Sequence, residues 1–218
     1  MKTIILFFFL LISSLTLRSQ DIALFGENQA SGHMVTLKVG ADFGTVYGLS
    51  YGYKFSGKQP VMVGTELTTP FGGKIMDDFK ARLTAQTIFW PAKHLGIAIK
   101  PGMAFRRNGT EAAVICNIST ELATSIGYYR NKWSIATETV FDYSNATLLK
   151  HRKLQEYYPE IKDEWYKNTG GTIKFGVQGT YWLRSTGVSV KAGKVYGRNF
   201  KNNPTIPFYA DFSVLRKW

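Results

Sequence analysis

The sequence predicts an all-β fold, a closed antiparallel transmembrane β-barrel of about ten strands (roughly eight to twelve), with one helix-like loop on its outer side. Three observations predict it. Side chains alternate between apolar and polar over many runs of strand length. No run of 18 apolar residues follows residue 20, so no helix long enough to cross a bilayer is available. Short and longer connections take turns along the chain.

The alternation is plainest in Ala113 to Tyr129, AVICNISTELATSIGYY. Its even positions carry Val114, Cys116, Ile118, Leu122, Ile126 and Tyr128, and its odd positions carry Asn117, Ser119, Glu121, Ser125 and Gly127. A strand turns successive side chains to opposite faces, so this run has one oily face and one polar face. Period two recurs over 33–43, 46–55, 60–69, 79–90, 95–106, 111–129, 132–143, 171–183, 187–197 and 206–216. Each segment approaches or exceeds the roughly 9 to 11 residues that a tilted membrane strand needs. Tyr47, Leu49, Tyr51, Tyr53 and Phe55 oppose Gly48, Ser50, Gly52 and Lys54. Phe79, Leu83 and Phe89 oppose Lys80, Arg82 and Gln86, and Ile173, Phe175, Val177 and Tyr181 oppose Lys174, Gln178 and Thr180. A soluble sandwich alternates too, so alternation alone does not say which solvent the oily face meets.

The connections and rings say more. Ser56 to Gln59, Pro91 to His94, Arg130-Asn131 and Arg184 to Thr186 are all short, whereas the intervening gaps include Pro70 to Asp78, Gly197 to Thr205 and the long Ser144 to Gly170. Short turns on one rim and longer loops on the other is the habit of outer-membrane barrels. Aromatic residues crowd the short turns: Tyr53 and Phe55, Phe89 and Trp90, Tyr128 and Tyr129, Trp133, then Trp182. They are expected to form a girdle at a membrane interface, where a ring keeps an apolar body and a wet edge. Within the long gap, Asn145 to Lys167 breaks the period and reads as helix-like up to Pro159. It is expected to be a solvated outer loop, with 144–170 available to an extracellular or envelope partner.

Composition bounds the rest. The 218 residues make one domain of ordinary size, with 15% aromatic content in Phe, Trp and Tyr. Residues 1–20 have a basic start, a short apolar run and a polar end, the pattern of a secretory signal peptide, which sets the mature domain at 21–218, from Asp21. Removing Lys2 and Arg18 lowers the formal charge from +12 to +10. The basic residues are scattered rather than gathered in a stripe, so no nucleic-acid partner is expected. A single cysteine, Cys116, rules out an internal disulfide framework and reads as a small hydrophobe on the oily face. The sequons at Asn108, Asn117 and Asn145 read as chance.

A leader, two-residue alternation throughout, alternating connection lengths and a terminal strand from Ile206 to Trp218 together resemble the small outer-membrane β-barrel proteins of Gram-negative bacteria. The resemblance spans nearly all of the mature chain and is one of pattern rather than of a short motif. It implies an outer-membrane location, a lipid-facing surface, and a C-terminal strand read by the barrel-insertion machinery. Phe208, Ala210, Phe212 and Val214 would point outward and Trp218 would close the girdle, while Arg216 departs from the expected apolar position.

The same phase places in the lumen the cations Lys38, Lys54, Lys80, Arg82, Lys100 and Arg106, followed by Lys174 and Lys191. With them go the anions Asp42, Glu66, Glu121, Glu138, Asp142 and Asp211. The interior of so narrow a barrel is filled by side chains, and buried charges persist only when paired. Cross-bracing is therefore expected, for example Lys80 and Arg82 near Glu66, or Lys174 near Glu138 and Asp142. The alternatives are a narrow pore for small polar solutes and a soluble calycin-like carrier. For catalysis, His33, His94 and His151 lack close carboxylate partners in sequence; only His151 shares a rim with Asp77, Asp78 and Asp163. No phosphate loop, nucleophile elbow or metal-ligand spacing appears, so no enzyme, metal or cofactor is expected. The expected role is structural, adhesive or accessory to envelope transport.

Overall fold

The computed structural model describes residues 31–72, 77–198 and 206–218. The leader at 1–20 and the start at Asp21 lie outside the described residues. Ten strands follow one another: β1 (Gly32–Ala41), β2 (Thr45–Phe55), β3 (Val61–Pro70), β4 (Asp78–Ala92), β5 (Leu95–Gly109), β6 (Ala113–Tyr129), β7 (Trp133–His151), β8 (Glu164–Leu183), β9 (Thr186–Gly197) and β10 (Phe208–Lys217). Among the described residues one short helix, α1 (Lys153–Tyr157), interrupts them. Each strand pairs antiparallel with the next, and β10 returns to β1, so the sheet is a closed barrel. Closure leaves no strand edge with bare amides.

Register fixes the size of the barrel. Met34 is level in turn with Gly52, Gly64, Thr84, Gly102, Glu121, Asp142, Thr172 and Gly197 across β2 to β9. On β9, Lys194, three residues before Gly197, pairs with Phe208, whereas Met34 itself meets Lys217, so the closing step of the circuit is displaced by twelve residues. A shear of that size over ten strands gives a tilt of about 40° and a backbone radius of roughly 10 Å. Long side chains from facing walls therefore meet in the middle.

Both faces follow the expected phase. Exposed apolar side chains stand outward around the whole ring, including Leu49, Leu67, Leu83, Met103, Leu122, Ile135, Phe175, Val190 and Phe212. Inward positions are buried or half-buried. The oily and polar faces of Ala113 to Tyr129 are thus the outer and lumenal faces of β6 from Ile118 onward.

The structure differs from expectation over 144–170. Helix is confined to α1, and most of the segment forms a continuation of β7 and β8 that pairs as far as Leu149↔Glu164. Asn145 is the cause of the difference. It is an extra residue against β6, where Ser119 pairs with Ser144 and Ile118 with Ala146; against β8 the count reverses, with Asn168 and Thr169 facing Asn145 alone between Ser144↔Gly170 and Ala146↔Lys167. A bulge of this kind inverts the phase, which in sequence looks like the end of a strand. Asn145 Nδ2 donates to Thr120 Oγ1 at 2.7 Å, and beyond it Thr147 Oγ1 comes round to accept from Asn117 Nδ2 at 2.9 Å.

The strand glycines hold space for large side chains. Gly176 and Gly193 are cross-strand partners on the lumenal face, and a Cβ on either would collide with the ring of Tyr209 on β10. Gly193→Val is expected to lower barrel stability by about 1–3 kcal/mol through this overpacking. Ala192→Val, on the outward neighbour, is expected to leave it within about 0.5 kcal/mol. Urea unfolding of the refolded barrel checks both.

Candidate functional site

The lumen has three tiers, built from inward residues at successive heights on the strands. Toward the short-turn rim lies an apolar floor of Met34, Met62, Ile88, Tyr129, Trp182 and Leu215, with Trp90 packed against it. This tier corrects the expected girdle at three positions. Trp90, Tyr129 and Trp182 occupy inward phase positions, and Trp182 is only 5% exposed. Alternation decides the matter, because each of the three neighbours the residue that does point out. Tyr181 is the outward partner of Trp133 across β7 and β8, in the place expected for Trp182. Lys217 Nζ stands 4.6 Å from the centroid of the Trp182 ring, and Lys54 is buried at the same end.

The other girdle residues stand on the outer side of that rim. Tyr53 and Phe55 meet edge to face at 4.7 Å, and Phe89 is exposed. Tyr128 lies 5.8 Å from Trp133 and accepts a hydrogen bond from Arg130 Nη2 at 2.8 Å. Trp218 stacks on His33 at 5.7 Å, and the two residues exchange backbone hydrogen bonds across the β1–β10 seam. His94 sits 5.7 Å from Tyr128 in its turn.

Above the floor the expected charges converge. Lys38 Nζ bonds Glu66 Oε1 at 2.8 Å, and Arg82 bonds the same carboxylate. Arg82 also reaches Glu121 at 3.0 Å and Asp42 at 3.5 Å. Lys80 bonds Glu121 at 2.6 Å and Asp142 at 3.1 Å. Lys174 bonds Asp42, and Lys191 bonds Glu138 at 2.7 Å. The expected partners of Lys174 are thereby corrected: Glu138 belongs to Lys191 and Asp142 to Lys80. The reason is curvature. Apart from the neighbouring Glu66 and Arg82, these pairs skip at least one strand and run as chords across the lumen.

The chords pass over small residues. Gly48 stands between Lys38 and Thr68 in the register, and a Cβ there would strike the Lys38 side chain on its way to Glu66. On β5 the residues level with Arg82 and Glu121, Ala104 and Gly102, are likewise small. A cavity of about 120 Å³ remains within this tier, lined by Lys100 and Asp211 among others.

The third tier is a vestibule of about 660 Å³ toward the long-loop rim. Arg106 lies over the Phe43 ring at 4.0 Å and 3.7 Å from Asp78, which accepts from Asn108 at 3.1 Å. Asn117, Ser119 and Ser144 form part of its wall. Phe43 and the aliphatic floor residues Met34, Met62, Ile88 and Leu215 carry no polar signal and were not legible as site residues; the inward phase was the one clue available. His151 Nδ1 lies 3.6 Å from Asp163 Oδ1 on the extended hairpin, and Asp77 accepts the Gly109 amide through its carbonyl. Cys116 keeps the outward phase and is half-buried.

Glu121→Gln withdraws a carboxylate charge shared by two buried cations. It is expected to cost about 3–5 kcal/mol in urea unfolding. Glu111→Gln breaks the exposed pair to Lys153, whose 2.7 Å contact is largely in solvent; it is expected to cost at most about 1 kcal/mol in the same measurement.

No protein-family profile matches the sequence, and no curated protein matches it. Among solved structures the chain is similar to one described under "Unveiling the Mechanism Behind the in-meso Crystallization of Membrane Proteins". The two share 7% identity over 86% of this chain and 83% of that chain, with a TM-score of 0.35. A likeness of that size carries no argument, and the fold stands on the strand register alone.

Proposed function

We propose that this chain is an integral outer-membrane β-barrel protein of a Gram-negative envelope, without catalytic activity, acting as a sealed structural, adhesive or transport-accessory body. One observation carries the reading: the outward face of the closed ring is apolar on every side, with Leu83, Met103, Ile135, Val177 and Val190 each more than half exposed. Contiguous apolar surface on that scale marks a membrane or protein contact rather than water. The paired lumen supports it too, since a soluble carrier would keep its oily positions inside the barrel. The partners proposed are outer-membrane lipid and, for the terminal strand, the barrel-insertion machinery. The extended hairpin, with Tyr157, Tyr158, Trp165 and Tyr166 exposed, is the proposed contact for an extracellular or envelope partner.

The apolar floor weighs against the pore. Water and ions crossing the lumen would have to pass both the ion-pair chords and the packed rings of Trp182 and Tyr129.

In planar bilayers the protein is expected to show no steady conductance, and a stable channel whose current changes on replacing Lys100 or Glu121 would overturn the seal. Val177→Arg and Ile118→Arg are expected to cost about 2–4 kcal/mol in refolding titrations in lipid vesicles if they lie near the midplane. Ser119→Arg acts instead through the lumen, where Ser119 is 2% exposed. Full tolerance of both outward arginines in lipid would count against the membrane reading.

A further inference from the structure

The lumenal charges are paired with two exceptions. Lys54 is engaged near the floor, and every other member of the set enters an ion pair except Lys100 and Asp211 among the described residues. These two are not placed at random. Lys100 is on β5 and Asp211 on β10, opposite each other in the ten-strand ring, and both line the same cavity of about 120 Å³. Three polar atoms around that cavity lack a hydrogen-bond partner: Asp211 Oδ1, Thr36 Oγ1 and the Tyr209 hydroxyl. Thr36 and Tyr209 are 3% and 6% exposed. Buried polar groups of this kind are normally satisfied, so each asks for an occupant.

The chemistry of the occupant follows from the wall. The lining carries five cations and five anions. A net-charged ligand would unbalance it in a region of low dielectric, where an uncompensated charge is costly. A molecule bearing one ammonium and one carboxylate answers both unpaired walls and leaves the sum unchanged. Volume sets the length, since a cavity of about 150 Å³ holds a six-carbon ring. We propose that this cavity binds a small zwitterion of the ω-amino-acid class, its carboxylate toward Lys100 and its ammonium toward Asp211. The Thr36 and Tyr209 hydroxyls complete the shell. Access is from the vestibule: Asp42 and Lys174 line both spaces, so their ion pair stands at the neck, while the apolar floor closes the far side. The site needs only the closed lumen and goes beyond the membrane reading.

The test is calorimetric titration of the refolded barrel in detergent micelles with glycine, β-alanine and γ-aminobutyrate, and with methylamine and acetate as half-ligands. Saturable binding of at least one zwitterion is expected, about tenfold or more tighter than either half-ligand, as the loss of a charge-assisted hydrogen bond implies. Lys100→Met and Asp211→Asn are each expected to weaken it by a similar factor. The exchanged pair Lys100→Asp with Asp211→Lys keeps the wall balanced and is expected to bind again. Absence of saturable binding by every zwitterion in the unaltered protein overturns the proposal, leaving ordered water as the occupant. Undiminished binding by both single variants overturns it as well. Neither result touches the conductance or the lipid-face measurements.

Discussion

The constraint on which this structure depends is the closure of ten strands at a shear of twelve residues. Closure satisfies every strand edge, and the resulting radius, roughly 10 Å to the backbone, leaves no room for a water column beside long side chains. Apart from Lys100 and Asp211, the inward charges of the lumen therefore meet partners, most of them across the barrel, with Lys54 engaged near the floor. The lattice of chords from Lys38 to Glu66, Arg82, Glu121, Lys80 and Asp142 is what that requirement produces. An isolated buried charge of either sign would be far less stable than one in such a chain.

The strands were legible because period two is a local property. All ten expected segments correspond to strands, and the outward phase of Tyr47 to Phe55 or of Phe79 to Phe89 is as the alternation implies. What was not legible depends on non-local geometry. Asn145 carries no mark of a bulge, so the phase inversion beside it reads as the end of β7. Trp90, Tyr129 and Trp182 follow the inward phase, yet rings beside short turns suggest an interface. Ring chemistry and phase gave opposite answers there, and phase prevailed.

Pairing in the lumen was legible in kind and not in detail. That the charges pair at all follows from burial. Which carboxylate meets Lys174 depends on how far the wall has curved between β8 and the β1–β2 turn, a quantity set by register around the circuit. The small residues under the chords belong to the same account. Gly48 and the Gly176–Gly193 pair make poor strand residues taken singly, and each clears the path of a longer side chain.

The chords have a consequence for how the barrel comes together and comes apart. The link from Lys174 to Asp42 spans the seam where the last strand meets the first, as do the backbone exchanges between His33 and Trp218. A partly assembled sheet, still open at that seam, keeps those ionic groups hydrated and forgoes their mutual attraction until the final zipping. Half-built intermediates thus gain little from the interior polar lattice. Loss of order at one seam residue would propagate through the whole girder, so the molecule is expected to behave as a single cooperative unit rather than as hairpins that fray one by one.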